Sequence, residues 1–271
     1  VYDPVSAPHL APNGTAFDVV GPENAPVIAL IHGLGLCRHL WADHLGALSA
    51  NHRVINYDLF GHGDSAPLPD TGSMRVYSDQ LAALLDHLGV ARAAIVGFSI
   101  GGMINRRFAL DHADRVAALC VLSSPHDRGE KGQRLVEERA ASVRERGALS
   151  TMDAALTRWF TPEYLASHPQ TATLVREWRL KADAESYAQA TWALAHGVRE
   201  LINPDPPVVA PTLVMTGERD TGSTPAMSHA IAAEIADAET VIINHYQHLG
   251  LLEDPAAFTD PVLDFLQRKM P

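Results

Sequence analysis

Five consecutive aliphatic residues, Val27 to Ile31, give the first strong signal along the chain. So short and so uniformly apolar a run predicts a strand buried on both faces, as in a parallel sheet. Ahead of it Thr15 to Val20 alternates, and the turn signal Pro12-Asn13-Gly14 predicts an N-terminal β-hairpin. After it, helical and strand-like stretches follow one another: helix Arg38 to Leu48, strand Arg53 to Tyr57, helix Val76 to Leu88, strand Ala93 to Val96, helix Ile100 to Asp111, strand Val116 to Leu122. This alternation specifies a doubly wound, mostly parallel α/β sheet with right-handed crossovers and helices on both faces.

The rhythm breaks between about Asp127 and Asn203, where charged, helix-favouring sequence runs on without a strand. The expected organisation is a core of residues 1–126 and 204–271 carrying a helical cap, or lid, inserted at 127–203. Ser150, Thr161-Pro162-Glu163 and Asp183 supply helix-start signals within the cap. Strand Thr212 to Thr216, helix Pro225 to Ala236, strand Thr240 to Asn244 and helix Pro255 to Gln267 complete a sheet of about eight strands.

Composition narrows the function classes. Of the 271 residues 46% are hydrophobic, enough for a sizeable core, and the formal charge of −11 opposes binding to nucleic acid or to anionic membranes. No apolar run approaches the ~20 residues that span a bilayer, and Val1 to Leu10 lack a leader pattern, so a cytoplasmic location is expected. Cys37 and Cys120 have neither disulfide-framework nor metal-ligand spacing, and no metal or cofactor is expected. Homo-oligomerisation stays open.

One position carries chemistry before all others. Ser99 lies in Gly97-Phe98-Ser99-Ile100-Gly101, between a strand and a helix, where flanking glycines permit the sharp turn that exposes a nucleophile. A serine hydroxyl also needs a base, a group to orient that base, and donors for the developing oxyanion. His248 follows the last strand and is favoured over His245 as base; Asp220, in Gly217-Glu218-Arg219-Asp220, is favoured over Glu218 as the orienting acid. Backbone amides of Ile100 and of Leu34, in His32-Gly33-Leu34-Gly35, are the expected oxyanion donors, with His32 holding that loop. The glycine-rich stretch Asp58 to Ser65 lacks a phosphate-binding fingerprint and reads as a structural turn beside the site.

Taken in order, His32-Gly33-Leu34-Gly35, Asp58 to Ser65, Gly97 to Gly102, Gly217 to Asp220, and His248 followed by Glu253 and Pro255 resemble the α/β-hydrolase superfamily over almost the whole chain. The resemblance implies a Ser99-His248-Asp220 triad, a lid over a pocket, and oxyanion amides at Leu34 and Ile100. Ser99 to Ile104 and the stretch from Arg158 through Thr161-Pro162 and His168-Pro169 to Ala188 are similar to 3-oxoadipate enol-lactonases. Those enzymes open a small lactone bearing a carboxylate, for which Arg158, Arg176, Arg179 and Lys181 are cationic candidates here. Trp159, Trp178 and Trp192 fall in the same region as cap packing or pocket wall. His245-Tyr246-Gln247 replaces the small approach to the histidine usual in the superfamily, which leaves Tyr246 a pocket candidate. The implied activity is hydrolysis of a small ester or lactone through an acyl-enzyme. Carbon-carbon hydrolysis of ring-cleavage products, perhydrolysis and non-catalytic ligand binding are its rivals.

Overall fold

The computed structural model describes residues 7–270; Val1 to Ser6, which begin the stretch read above for a leader, and Pro271 lie outside the described residues. Eight strands form one sheet there: β1 (His9–Leu10), β2 (Ala16–Val20), β3 (Val27–Ile31), β4 (Arg53–Tyr57), β5 (Ala93–Phe98), β6 (Val116–Leu122), β7 (Thr212–Gly217) and β8 (Ala238–Ile243). Their spatial order is β1-β2-β4-β3-β5-β6-β7-β8, with the β1·β2 and β2·β4 pairings antiparallel and the others parallel. The crossovers are made by α1 (Ala42–Leu48), α2 (Met74–His87), α3 (Ile100–Asp111) and α9 (Pro225–Ala233). Between β6 and β7 come five helices and no strand: α4 (Gly129–Arg146), α5 (Met152–Trp159), α6 (Pro162–Ser167), α7 (Pro169–Lys181) and α8 (Ala184–His196). After β8, α10 (Gly250–Glu253) leads into α11 (Pro255–Lys269).

The apolar strands serve two cores at once because successive side chains point to opposite faces. Ala29, Ile31, Ile55 and Ile95 pack with Leu81 and Leu84 of α2 and Ile104 and Phe108 of α3. Ile28, Leu30, Val54 and Val96 pack instead with Leu45 and Leu48 of α1 and Phe258 and Phe265 of α11. Truncating a fully buried ring such as Phe108 or Phe265 to alanine typically costs about 3–5 kcal/mol.

Three local expectations need correction. β5 runs on through Gly97 and Phe98, since both still pair with β6, opposite Val121 and Leu122. The helix expected from Arg38 begins as a tight 3₁₀ turn, Arg38–Trp41, before α1. Ser150 caps no helix: it lies inside a 3₁₀ turn and donates to the Gly147 carbonyl at 2.8 Å. Thr161 and Asp183 do cap α6 and α8, accepting from Tyr164 N and Ser186 N.

The turn at Arg38 reflects a buried ionic hub. Its guanidinium donates to Asp18 at 2.8 Å, Asp58 at 2.5 Å and Asp64 at 2.7 Å, and its backbone N–H donates to Asp58 at 2.6 Å. Burial opposes the charge on Arg38, but the facing carboxylates outweigh it and raise the guanidinium pKa. Asp58 is wholly buried, so Arg38→Ala strands a carboxylate without its counterion. A loss of about 3–5 kcal/mol in unfolding free energy is expected from urea titration of that variant.

Candidate active site

The carboxyl ends of the parallel strands meet at one edge of the sheet, where α/β folds place their ligands. Ser99 follows β5 directly, with φ 59° and ψ −114°, a backbone state that only a constrained turn imposes on serine. Space there admits no bulk. A Cβ on Gly97 would come 2.1 Å from the Gly101 carbonyl oxygen, and one on Gly101 would come 2.5 Å from that of Ile31.

His248 lies between the other two groups. With Nδ1 donating to Asp220 Oδ2 at 2.6 Å, Nε2 is left to accept from Ser99 Oγ at 3.1 Å. Asp220 is 2% exposed and its second oxygen is occupied, accepting from Gly222 N at 2.8 Å and Ser223 N at 2.9 Å. The imidazole packs against Phe98 and Trp159, with ring centroids 5.0 and 6.1 Å away. The rivals sit elsewhere: His245 and Glu218 are exposed, and the His245 N–H donates to the Glu218 carboxylate.

His32 braces the neighbouring loop. Fully buried, its Nδ1–H donates to the Gly33 carbonyl at 2.8 Å and its Nε2 accepts from Leu59 N at 3.0 Å. Burial pushes its pKa down to about 4, so the ring is neutral at pH 7 and this tautomer is fixed. Through Leu59, the turn that carries Asp58 and the Arg38 hub supports Gly33 and Leu34. Among the described residues, the Leu34 and Ile100 amides have no hydrogen-bond partner. The latter opens α3, whose N-terminal dipole favours negative charge.

A cavity of about 390 Å³ opens onto Ser99 and His248. Its wall includes Leu34, Trp159, Arg158, Arg179 and Tyr187, together with residues of α4 that the sequence reading did not single out. Arg128, which precedes α4, and Gly132, Val136, Arg139 and Val143 recur at helical spacing and present one face to the cavity. That periodicity was available in the sequence; which face looked inward was not.

Two pocket candidates require correction. Trp192 is 55% exposed and lies tilted against His196, because α8 turns Tyr187, Thr191 and Leu194 toward the cavity and Trp192 points about 100° away from Thr191. Tyr246 lies outside the cavity wall: its hydroxyl donates to Asp254 at 2.9 Å and its ring meets Phe258 edge-on. Of the four cationic candidates, Arg176 pairs with Asp153 and Lys181 with Asp64, leaving Arg158 and Arg179 at the cavity. Trp178 belongs to the core shared with α11.

Several known proteins of similar sequence and shape are hydrolases. The chain is 29% identical over 271 residues to 3-oxoadipate enol-lactonase 2 of Acinetobacter baylyi, covering 98% of this chain and 97% of that protein. It is 27% identical to (E)-2-((N-methylformamido)methylene)succinate hydrolase of the same organism, over 91% and 92% of the two chains. The crystal structure of the enol-lactonase from Burkholderia xenovorans superposes with a TM-score of 0.83 at 30% identity, covering 93% of this chain and 96% of that one. With the family model for the alpha/beta hydrolase fold matching residues 26–255, this chain, with its eight-stranded sheet and the elbow at Ser99, belongs to the α/β-hydrolase family.

Proposed function

We propose that this protein hydrolyses a small carboxylic ester or lactone, in the manner of an enol-lactonase, with Ser99 as nucleophile, His248 as base and Asp220 as its orienting acid. The observation that carries the reading is the imidazole bridging Ser99 Oγ and Asp220 Oδ2 at 3.1 and 2.6 Å, in the wall of the cavity. His248 Nε2 takes the hydroxyl proton as Oγ attacks the substrate carbonyl, and the Leu34 and Ile100 amides receive the oxyanion. Collapse breaks the acyl–oxygen bond, and the imidazolium gives its proton to the departing alkoxide or enolate oxygen. Water, deprotonated by the same nitrogen, then cleaves the acyl-enzyme and regenerates the serine.

Residues 127–203 act in this reading as a lid that excludes water and shapes the acyl site. Similarity to 3-oxoadipate enol-lactonases over nearly the full chain favours a lactone. The deciding experiment is a turnover screen over enol-lactones, saturated lactones, short aryl esters and vinylogous diketones, with fluorophosphonate labelling of Ser99 followed by mass spectrometry. Lactone or ester turnover with labelling supports the reading. Turnover confined to diketones, or an unlabelled Ser99, contradicts it.

A further inference from the structure

The cavity wall is cationic in a strongly acidic protein. Arg128, Arg139, Arg158 and Arg179 line it, and its one carboxylate, Asp220, is engaged by His248 and two amides. Among the described residues, none of the four arginines makes an ion pair with a carboxylate. Of the arginines facing away from the cavity, Arg144 pairs with Glu185, Arg134 with Glu130 and Arg176 with Asp153, while buried Arg106 donates to the Gly102 and Pro125 carbonyls. Four arginines without a carboxylate partner are therefore gathered on the inner face.

Arg179 is the most deeply placed of the four. It is 2% exposed, its guanidinium lies 4.9 Å from the Trp159 ring centroid and 5.6 Å from that of Tyr187, and its Nε and Nη1 are unsatisfied. It also packs against Gly35 of the oxyanion loop, where a Cβ would meet its Nε at 2.9 Å. Arg128 leaves Nη1 buried and unsatisfied while Nη2 donates to the Leu194 carbonyl. Burial lowers the pKa of all four, and Arg139 lowers those of Arg128 and Arg158 further by repulsion. The buried donors that Arg128 and Arg179 leave unsatisfied at the cavity are groups that an anionic guest would answer. A single carboxylate on Arg179 would leave Arg128 and Arg139, spaced along α4, unanswered.

We propose that the substrate carries two separate acidic groups, one bound at Arg179 beside the oxyanion loop and the other at the α4 arginines: a dicarboxylic ester or lactone. The assignment rests on the Ser99 reading for where the scissile carbonyl lies. Its test does not depend on turnover.

Ser99→Ala protein is titrated calorimetrically with unbranched dicarboxylates of four to seven carbons, with their monomethyl and dimethyl esters, and with butyl phosphate. At least one dicarboxylate is expected to bind about tenfold or more tighter than its monomethyl ester, with the advantage shrinking as salt rises. Adding Arg139→Gln should erase that advantage while the monoester affinity moves less than about threefold, whereas Arg179→Gln should weaken both ligands. Arg139 is half-buried, so its variant reports even if the Arg179 variant fails to fold. Dicarboxylates binding no tighter than monoesters, or butyl phosphate binding tightest, would overturn the proposal. A tight dicarboxylate together with a wild-type protein that cleaves no ester would count against the proposed hydrolysis and leave the two-anion site standing.

Discussion

Alanine at position 99 is expected to lower kcat for the preferred ester or lactone by about 10⁶, leaving a residual rate about 10³–10⁴ above water. In the proposed mechanism the loss is so large because Ser99 and His248 act as one unit: without Oγ no acyl-enzyme forms, and the base at 3.1 Å has no hydroxyl proton to take. What survives is the contribution of the cavity and of the amides that receive the oxyanion. Substrate affinity should change little, since the hydroxyl is one small part of a wall built around a cavity of about 390 Å³. Single-turnover kinetics together with substrate binding would check both halves. A variant that keeps a hundredth of the wild-type kcat would contradict a serine nucleophile.

Asp220→Asn should cost about 10⁴ in kcat with the fold intact. The asparagine oxygen can still accept from the Gly222 and Ser223 amides, so the loop after β7 keeps its shape. Its NH₂ group, however, donates toward His248 Nδ1, where Asp220 accepts. The imidazole proton then moves to Nε2, and the ring no longer accepts from Ser99. Rates of turnover and of fluorophosphonate labelling should fall together while the thermal midpoint stays within a few degrees. A loss smaller than tenfold would mean that Asp220 does not set the tautomer.

Much of this architecture was legible in the sequence because the relevant signals are local. The aliphatic run at Val27–Ile31, the glycines bracketing Ser99, and the positions of Asp220 and His248 just after strands depend on chain order and backbone sterics. The end of β5 is not legible locally because Gly97, a poor strand former on its own, is held by its ladder to Val121. The Arg38 hub escaped notice because its partners, Asp18, Asp58 and Asp64, come from three separate segments. Trp192 was misplaced for another reason: an aromatic residue on a helix can face either way, and only packing against α4 fixes the rotation of α8. The cationic lining is a tertiary property too, since nothing local distinguishes paired Arg176 from unpaired Arg179 three residues later.

The segment that bears His248 is fastened to the inserted helices just beyond the histidine. The Leu249 N–H donates to the Trp159 carbonyl at 2.7 Å, and the Glu253 carboxylate accepts from Thr161 N and Oγ1 at 2.7 and 2.6 Å. Recombining a cap from one relative with the core of another would therefore exchange more than specificity. A chimaera cut at the boundaries of 127–203 would leave the histidine loop facing foreign partners, and its proton acceptor would drift out of register with the nucleophile. A chimaera that moves the inserted helices together with residues 245–254 is expected to keep the histidine loop's partners, two stretches far apart in the chain transferred as one.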